Sequence, residues 1–267
     1  MKENKIYVFF DWTLTINQLI KDNRLDLPVF DKFVAALERV SSTFGKDVVF
    51  YVVSGTSRSS AESKFDILKQ GFANSGKSDM FGGFAYEYGG YLISQDKKTR
   101  RLYWSKTRLG KRITTLSKKY GFQKSEDLKL YYNFEFSEMG EMQRRFIDEC
   151  KNSFKDKDFE VYSDQYGHGL DIKNKNLNKN RFVNIVLKNN PAYMVLVGGD
   201  SIQDRRMLNL KTKCTKYFLG IDCHEKLEEK GLIFSEKANV FGIIDDLNKL
   251  CDMEVQNEKK QHRDLHF

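Results

Sequence analysis

The stretch Tyr193-Met194-Val195-Leu196-Val197-Gly198-Gly199-Asp200-Ser201-Ile202-Gln203-Asp204 places two carboxylates four residues apart directly after an apolar run. Five apolar residues in succession, without polar alternation, read as a strand buried on both faces of a sheet. Doubly wound sheets keep their ligands beyond the carboxyl ends of such strands. Asp200 then stands at a strand end, and Asp204, about one helical turn further on, faces the same opening. Paired carboxylate oxygens suit Mg²⁺, a hard cation that retains several waters. Aspartate is also a common helix N-cap, so this segment alone leaves a metal site and a plain cap both open.

Two other segments have the same construction. Ile6-Tyr7-Val8-Phe9-Phe10 is an unbroken apolar run that delivers Asp11 at its tip. Val48-Val49-Phe50-Tyr51-Val52-Val53 runs into Ser54-Gly55-Thr56-Ser57, a turn of small hydroxyl residues in which a glycine lets the backbone approach a ligand. Its hydroxyls and backbone N–H groups could hold phosphate oxygens, or simply cap the following helix. Between the apolar run at residues 48–53 and the run at residues 193–197, Asn176 to Leu187 carries apolar residues at helical spacing, with Lys179 near the helix start. A cation gains nothing from the macrodipole there, which points to a role outside helix stability.

Taken in order, Asp at a strand end, Ser at a strand end, Lys opening a helix and Gly-Asp-Ser-x-x-Asp at a strand end resemble the four motifs of the haloacid dehalogenase superfamily of phosphotransferases. The fourth is the most specific: Gly199 to Leu208 matches GDxxxDxxML. Phe84 to Ile93, containing Glu87-Tyr88-Gly89-Gly90, is similar to the E-N/H-G segment of the subgroup with a large cap inserted after motif two. That subgroup includes trehalose-phosphate, sucrose-phosphate and Cof-type phosphatases and the phosphomannomutases. The implied fold is an α/β, doubly wound, mostly parallel Rossmannoid sheet with an inserted α+β cap.

The first motif departs from the family. Where the family reads D-x-D-G-T-[LV], this chain reads Asp11-Trp12-Thr13-Leu14-Thr15-Ile16, and two registers fit. In one, Asp11 is the nucleophile, Thr13 replaces the second Asp and Thr15 keeps the family threonine, as in the D-x-T-x-T of P-type ATPases. In the other, Thr13-Leu14-Thr15 matches a "TLT" ending, Asp11 becomes the second Asp, and Phe9, which cannot be a nucleophile, takes the first position. The unbroken apolar run before Asp11 favours the first.

In that register the resemblance implies an aspartyl-phosphate formed on Asp11 and cleaved by water, with Mg²⁺ held by Asp11, the Thr13 carbonyl, Asp200 and Asp204. Ser54, Gly55 and Lys179 would bind the transferring phosphoryl group. The catalytic set would be Asp11, Thr13, Ser54 and Lys179. The family's second Asp protonates the leaving oxygen, help typically worth about 10²–10⁴-fold, and Thr13 supplies it poorly. Slow turnover, a preference for good leaving groups or a long-lived phosphoenzyme is therefore expected.

A chain of 267 residues can bury an α/β core and a second small domain. The core is expected over residues 1–90 and 172–250, the cap over 91–171, and a polar tail over 251–267, with the last core helix at Ile243 to Cys251 and a frayed end from Glu254. Within the cap, Leu130 to Phe136, Phe159 to Tyr162 and Gly169 to Ile172 alternate like strands, while Met142, Phe146, Cys150 and Phe154 mark a helix face. No apolar run is long enough for a membrane span, the N-terminus has no signal-peptide pattern, and four cysteines without C-x-x-C spacing suggest free thiols and a cytoplasmic protein. Cys223-His224 lacks the further ligands a zinc site needs.

The formal net charge is +8, yet residues 97–129 alone carry +10, with twelve Lys and Arg against Glu126 and Asp127. That segment could steer a small anionic phosphorylated substrate, follow a nucleic-acid backbone with Tyr103, Trp104 and Tyr120 stacking on bases, or be a solvated helix face. The main reading is thus a Mg²⁺-dependent phosphatase of a sugar phosphate or nucleotide. The alternatives are a catalytically impaired protein that sequesters an anion, and a nucleic-acid end-phosphatase.

Overall fold

The computed structural model describes residues 5–102, 110–124, 128–154, 158–163, 169–188, 190–221 and 231–264. In chain order the elements are β1 (Lys5–Asp11), β2 (Ile20–Lys21), β3 (Arg24–Leu25), α1 (Leu27–Phe44), β4 (Asp47–Val53), α2 (Arg58–Asn74), β5 (Phe81–Tyr86), β6 (Tyr91–Ser94), β7 (Thr99–Arg101) and α3 (Gly110–Tyr120). They continue with β8 (Tyr131–Glu135), α4 (Glu141–Ser153), β9 (Phe159–Ser163), β10 (Gly169–Asn174), α5 (Lys179–Lys188), β11 (Ala192–Gly199), α6 (Ile202–Arg205), β12 (Thr215–Ile221), β13 (Leu232–Ser235) and α7 (Asn239–Asp264).

Eight strands form one sheet in the order β13-β12-β11-β1-β4-β5-β6-β7. The first six are parallel to their neighbours, and β6 and β7 add an antiparallel edge. The apolar run of β1 divides between two cores by strand alternation. Ile6, Val8 and Phe10 pack with α1, α2 and α7, whereas Tyr7 and Phe9 pack with Phe182, Val183 and Val186 of α5. Helices thus cover both faces, which is why β1 and β11 read as continuous apolar runs. Helix α1 has clear boundaries: the Asp26 carboxylate accepts from the Val29 N–H, Pro28 sits in the first turn, and Gly45 ends it at φ 60°.

A second, three-stranded antiparallel sheet, β8-β10-β9, lies between β7 and α5 in sequence. One face, with Phe134, Leu170 and Ile172, packs on Ile113 and Leu116 of α3 and Phe146, Ile147 and Cys150 of α4. Alternation turns the opposite set to the other face, where Tyr131 and Glu160 flank Lys173, and Asn133 and Tyr162 flank Asp171.

Three sequence expectations are corrected. The boundary at residue 90 divides a hairpin: β6 pairs with β5 through Ala85–Leu92 and Tyr86–Tyr91, so residues 91–101 extend the large sheet, and the small sheet runs to Asn174 rather than 171. The last helix continues through Asp264 instead of ending at Cys251. Nothing between Cys251 and Lys260 breaks it, the segment being rich in Glu, Gln and Lys, and Arg39 of α1 bonds Asn248 and Asp252 across the interface. Met142, expected on the apolar face of α4, is exposed, and Ile147 takes its place in the core. Cys150 and Cys251 are buried free thiols, while Cys223 and His224 lie outside the described residues. No described helix is long and apolar enough to cross a membrane.

Candidate active site

Strand order reverses at β1, whose neighbours are β4 on one side and β11 on the other, so the switch point of the sheet lies at its carboxyl end. Asp11 is the last residue of β1, opposite Val53 of β4. Ser54 follows β4 and Asp200 follows β11. Asp204 belongs to α6, where its backbone N–H and one carboxylate oxygen both bond the Ser201 hydroxyl. Asp11, Asp200 and Asp204 each bring one carboxylate oxygen within 4.8 Å of the others. A β-carbon at Gly199 would lie 2.3 Å from the Asp204 β-carbon, so glycine is what allows this approach.

Lys179 opens α5 after the Asn178 side chain, which accepts from the Arg181 N–H. Its ammonium donates to Asp11 Oδ1 and to Asp204 Oδ1, at 2.7 Å each. Both carboxylates are almost fully buried. Burial pushes the Asp11 carboxyl up to about 7; Lys179 opposes this, and the Asp204 and Asp200 charges add to it. Burial also works against the Lys179 ammonium, but its two carboxylate partners outweigh that and hold it above the ordinary lysine range. Three carboxylates around one ammonium leave a formal −2, an imbalance that a hard divalent cation with oxygen ligands would neutralise. The donor set therefore fits Mg²⁺, with Asp11, Asp200 and Asp204 as the side chains that would hold it.

Asp11 is followed by a wide turn, Trp12–Ile16, in which Leu14 takes the left-handed conformation, φ 56°. The family pattern places a glycine at that position in the register that starts at Asp11. In the alternative register glycine's counterpart is Trp12, which does not have a positive φ. Phe9 is fully buried between Tyr51 and Phe182. The Thr13 side chain is exposed, and its carbonyl accepts from the Thr15 hydroxyl at 3.3 Å.

The Ser54 hydroxyl is buried and accepts the Thr56 N–H at 3.2 Å. The Gly55 carbonyl accepts the hydroxyl of Tyr131, from β8, at 2.5 Å. A second tie runs through Glu87 and Tyr88, both with positive φ. Glu87 is fully buried, and one carboxylate oxygen takes the N–H groups of Lys129 (3.0 Å) and Leu130 (2.7 Å), which offset part of the upward push of burial on its carboxyl. Tyr88 donates to Asp171, which also accepts from Asn133 at 2.9 Å. The polar face of the small sheet is thereby fastened over the loops that carry Ser54 and Gly55. Sequence reading missed Tyr88, Tyr131, Asp171 and Lys173; the alternation Asp171-Ile172-Lys173 was the available signal.

No family model matches the sequence, and no curated protein matches it. Among solved structures it resembles TM0651 from Thermotoga maritima, with a TM-score of 0.64 at 13% identity over 92% of this chain and 97% of that one. It also resembles a haloacid dehalogenase-like hydrolase from Bacteroides thetaiotaomicron, at 0.61 and 10% over 92% and 99%, and Aspergillus fumigatus trehalose-6-phosphate phosphatase, at 0.55 and 14% over 94% and 93%. The fold is that of the haloacid dehalogenase-like hydrolases. In this fold the four segments singled out in the sequence stand at the end of β1 (Asp11), after β4 (Ser54), at the start of α5 (Lys179) and after β11 (Asp200). The nucleic-acid expectation finds no such support. Among the described residues of the basic segment, Lys97 pairs with Asp66 and Lys119 with Glu149, Arg112 lies over Phe154 and Lys124 over Tyr132. Along α3, Arg112, Lys118 and Lys119 are exposed opposite buried Ile113 and Leu116, as on a solvated helix face. Tyr103 and Trp104 lie outside the described residues.

Proposed function

We propose that this chain is a phosphomonoester hydrolase acting on a small phosphorylated metabolite through an aspartyl-phosphate on Asp11, with Mg²⁺ as its cofactor. The observation that carries the reading is the convergence of Asp11, Asp200 and Asp204, with Lys179 bridging two of them. The left-handed Leu14 supports the register in which Asp11 comes first. The haloacid dehalogenase-like hydrolases and the trehalose-6-phosphate phosphatase among the similar structures are consistent with it.

In the first step an Asp11 carboxylate oxygen attacks phosphorus, and the bond from phosphorus to the leaving oxygen breaks. In the second, water attacks the same phosphorus, the bond to Asp11 breaks, and inorganic phosphate departs. Bound Mg²⁺ would supply charge neutralisation between an anionic nucleophile and an anionic substrate. Lys179 opposes the upward push of burial on the Asp11 carboxyl and offers positive charge to the phosphoryl oxygens. Ser54 and the N–H groups after it lie beside Asp11 through the Asp11–Val53 register, in position to orient those oxygens. No carboxylate occupies position 13, so the leaving oxygen receives little help with its proton. Substrates whose leaving groups are stable as anions are favoured.

The test is hydrolysis of p-nitrophenyl phosphate with Mg²⁺ by the wild type and by Asp11→Asn. Hydrolysis abolished by the substitution and by EDTA is expected. Equal hydrolysis in both proteins would overturn the nucleophile assignment. Absence of hydrolysis with any phosphate ester, together with metal-dependent binding of one, would favour a sequestering protein, the reading that the exposed Thr13 supports.

A further inference from the structure

Beside the carboxylate cluster lies a cavity of about 240 Å³, lined by Tyr88, Lys173, Lys175, Lys179 and Arg206 and by a single carboxylate, Glu160. Lys179 is already matched to Asp11 and Asp204. The remaining three cations face one acid, leaving a formal +2 in a space the size of about eight waters. Glu160 does not satisfy them: it stands 3.7 Å from Lys173 and 3.9 Å from Arg206, near the outer limit of an ion pair. Lys173 is the most telling of the three. It comes from β10, is only 3% exposed, and its ammonium lies 3.8 Å from the centre of the Tyr88 ring. Burial pushes the Lys173 ammonium below the ordinary lysine range even though Glu160, which Arg206 shares, and Asp171 oppose that push, so keeping it charged is costly, and a cation over an aromatic face recovers only part of that.

We infer that this cavity is a subsite for a second anionic group, a carboxylate or phosphate, on the leaving-group side of the substrate. The assignment rests on the phosphomonoesterase reading above and deepens it: the substrate is a phosphorylated metabolite with two anionic ends. The geometry has a consistent division of labour. Lys179 belongs both to the carboxylate cluster and to the cavity wall, so a phosphoryl group at Asp11 and an anion in the cavity share one molecule of short length. Lys173 and Glu160 come from the small sheet, while Lys179 and Arg206 come from the core. An anion held here therefore draws the polar sheet face onto the site.

Isothermal titration calorimetry with Mg²⁺ measures the subsite without turnover. Three non-hydrolysable probes of similar length suffice: propylphosphonate, 3-phosphonopropionate and propane-1,3-diylbisphosphonate. The two-anion probes are expected to bind about 10- to 100-fold more tightly than propylphosphonate, the range for a hydrogen bond between charged groups. The ratio of the two identifies carboxylate or phosphate as the preferred end. In Lys173→Met and in Arg206→Gln the preference is expected to fall several-fold, and in the double variant to below threefold. Equal affinity for all three probes, or a preference that survives the double variant, overturns the inference. Arg206 is largely exposed, so Arg206→Gln reports even if circular dichroism shows that Lys173→Met does not fold. Loss of the hydrolase reading has a separate signature: no cleavage of p-nitrophenyl phosphate while the two-anion preference persists.

Discussion

Replacing Asp11 with asparagine is expected to stabilise the metal-free protein at alkaline pH while destroying its chemistry. The carboxyl of Asp11 titrates near 7 in the folded chain because of burial, with Asp204 and Asp200 adding to the effect and Lys179 opposing it; in the unfolded chain it titrates near its ordinary value of about 3.9. Between those values the folded state holds a proton that the unfolded state has lost, so stability falls as pH rises through this window and levels off above about 7. Between pH 5 and pH 8 this spans about two pK units, or about 3 kcal/mol of wild-type stability. Asparagine removes that loss, keeps an oxygen that Lys179 can still reach, and forfeits part of a charged hydrogen bond worth about 1.5–3 kcal/mol.

The difference between the two proteins isolates Asp11, because every other titrating group is common to both. Urea unfolding followed by circular dichroism in EDTA is expected to show the variant equal to or less stable than the wild type at pH 5, and about 1–2 kcal/mol more stable at pH 8. Saturating Mg²⁺ reverses the order: at a hundred times its dissociation constant a ligand adds about 2.7 kcal/mol to the protein that binds it, and the variant lacks one of its three carboxylates. A stability difference independent of pH between 5 and 8, or an equal Mg²⁺ response in both proteins, would refute the account of a site held together against its own charge.

Two further substitutions follow from the same geometry. Thr13→Asp restores a carboxylate where the family pattern has one, and it is expected to raise kcat/KM for an alkyl phosphate by about 10²-fold or more and for p-nitrophenyl phosphate far less; steady-state kinetics on the two substrates checks this, and equal gains on both would remove Thr13 as the cause of weak leaving-group protonation. Gly199→Ala places a β-carbon 2.3 Å from that of Asp204, so Asp204 must move off Lys179; thermal unfolding is expected to show about 1–3 kcal/mol of destabilisation, and calorimetry a weaker affinity for Mg²⁺.

The carboxylate cluster was legible because a strand buried on both faces writes itself as an apolar run, and the residue that ends the run is delivered to the sheet edge. Asp11, Ser54 and Asp200 all stand at such ends. Lys179 was legible for a different reason: a cation in the first turn of a helix works against the dipole, and its partners proved to be two carboxylates. Where the sequence misled, a local rule lost to a tertiary one. Gly89-Gly90 reads as the point where the chain leaves the core, yet Gly89 serves close packing against Phe182, and the chain returns as β6 to lengthen the sheet. The positive φ at Leu14, Glu87 and Tyr88 has no signature in residue type, since these are not the residues that ordinarily adopt it.

The roof of the site was the least legible part, and the reason bears on what the protein selects. Alternation along β8, β9 and β10 announces a sheet with one covered and one polar face, and by default the polar face is assigned to solvent. Asp171 and Lys173 then look like ordinary surface residues. In the folded chain the same face is turned toward the core: Tyr131 reaches Gly55, Asp171 receives Tyr88, and Lys173 is buried beside the cavity. A polar residue on such a face costs free energy to bury, and that cost is offset only where a partner or a ligand meets it. Asp171 has its partners in Tyr88 and Asn133, whereas Lys173 has a distant carboxylate and an aromatic face. The two neighbours on one strand therefore divide the work, Asp171 fastening the roof and Lys173 presenting charge to what lies beneath it. On the proposed two-anion reading, discrimination among phosphate esters would depend on the second charge a substrate carries, while the carboxylates below would treat all phosphoryl groups alike.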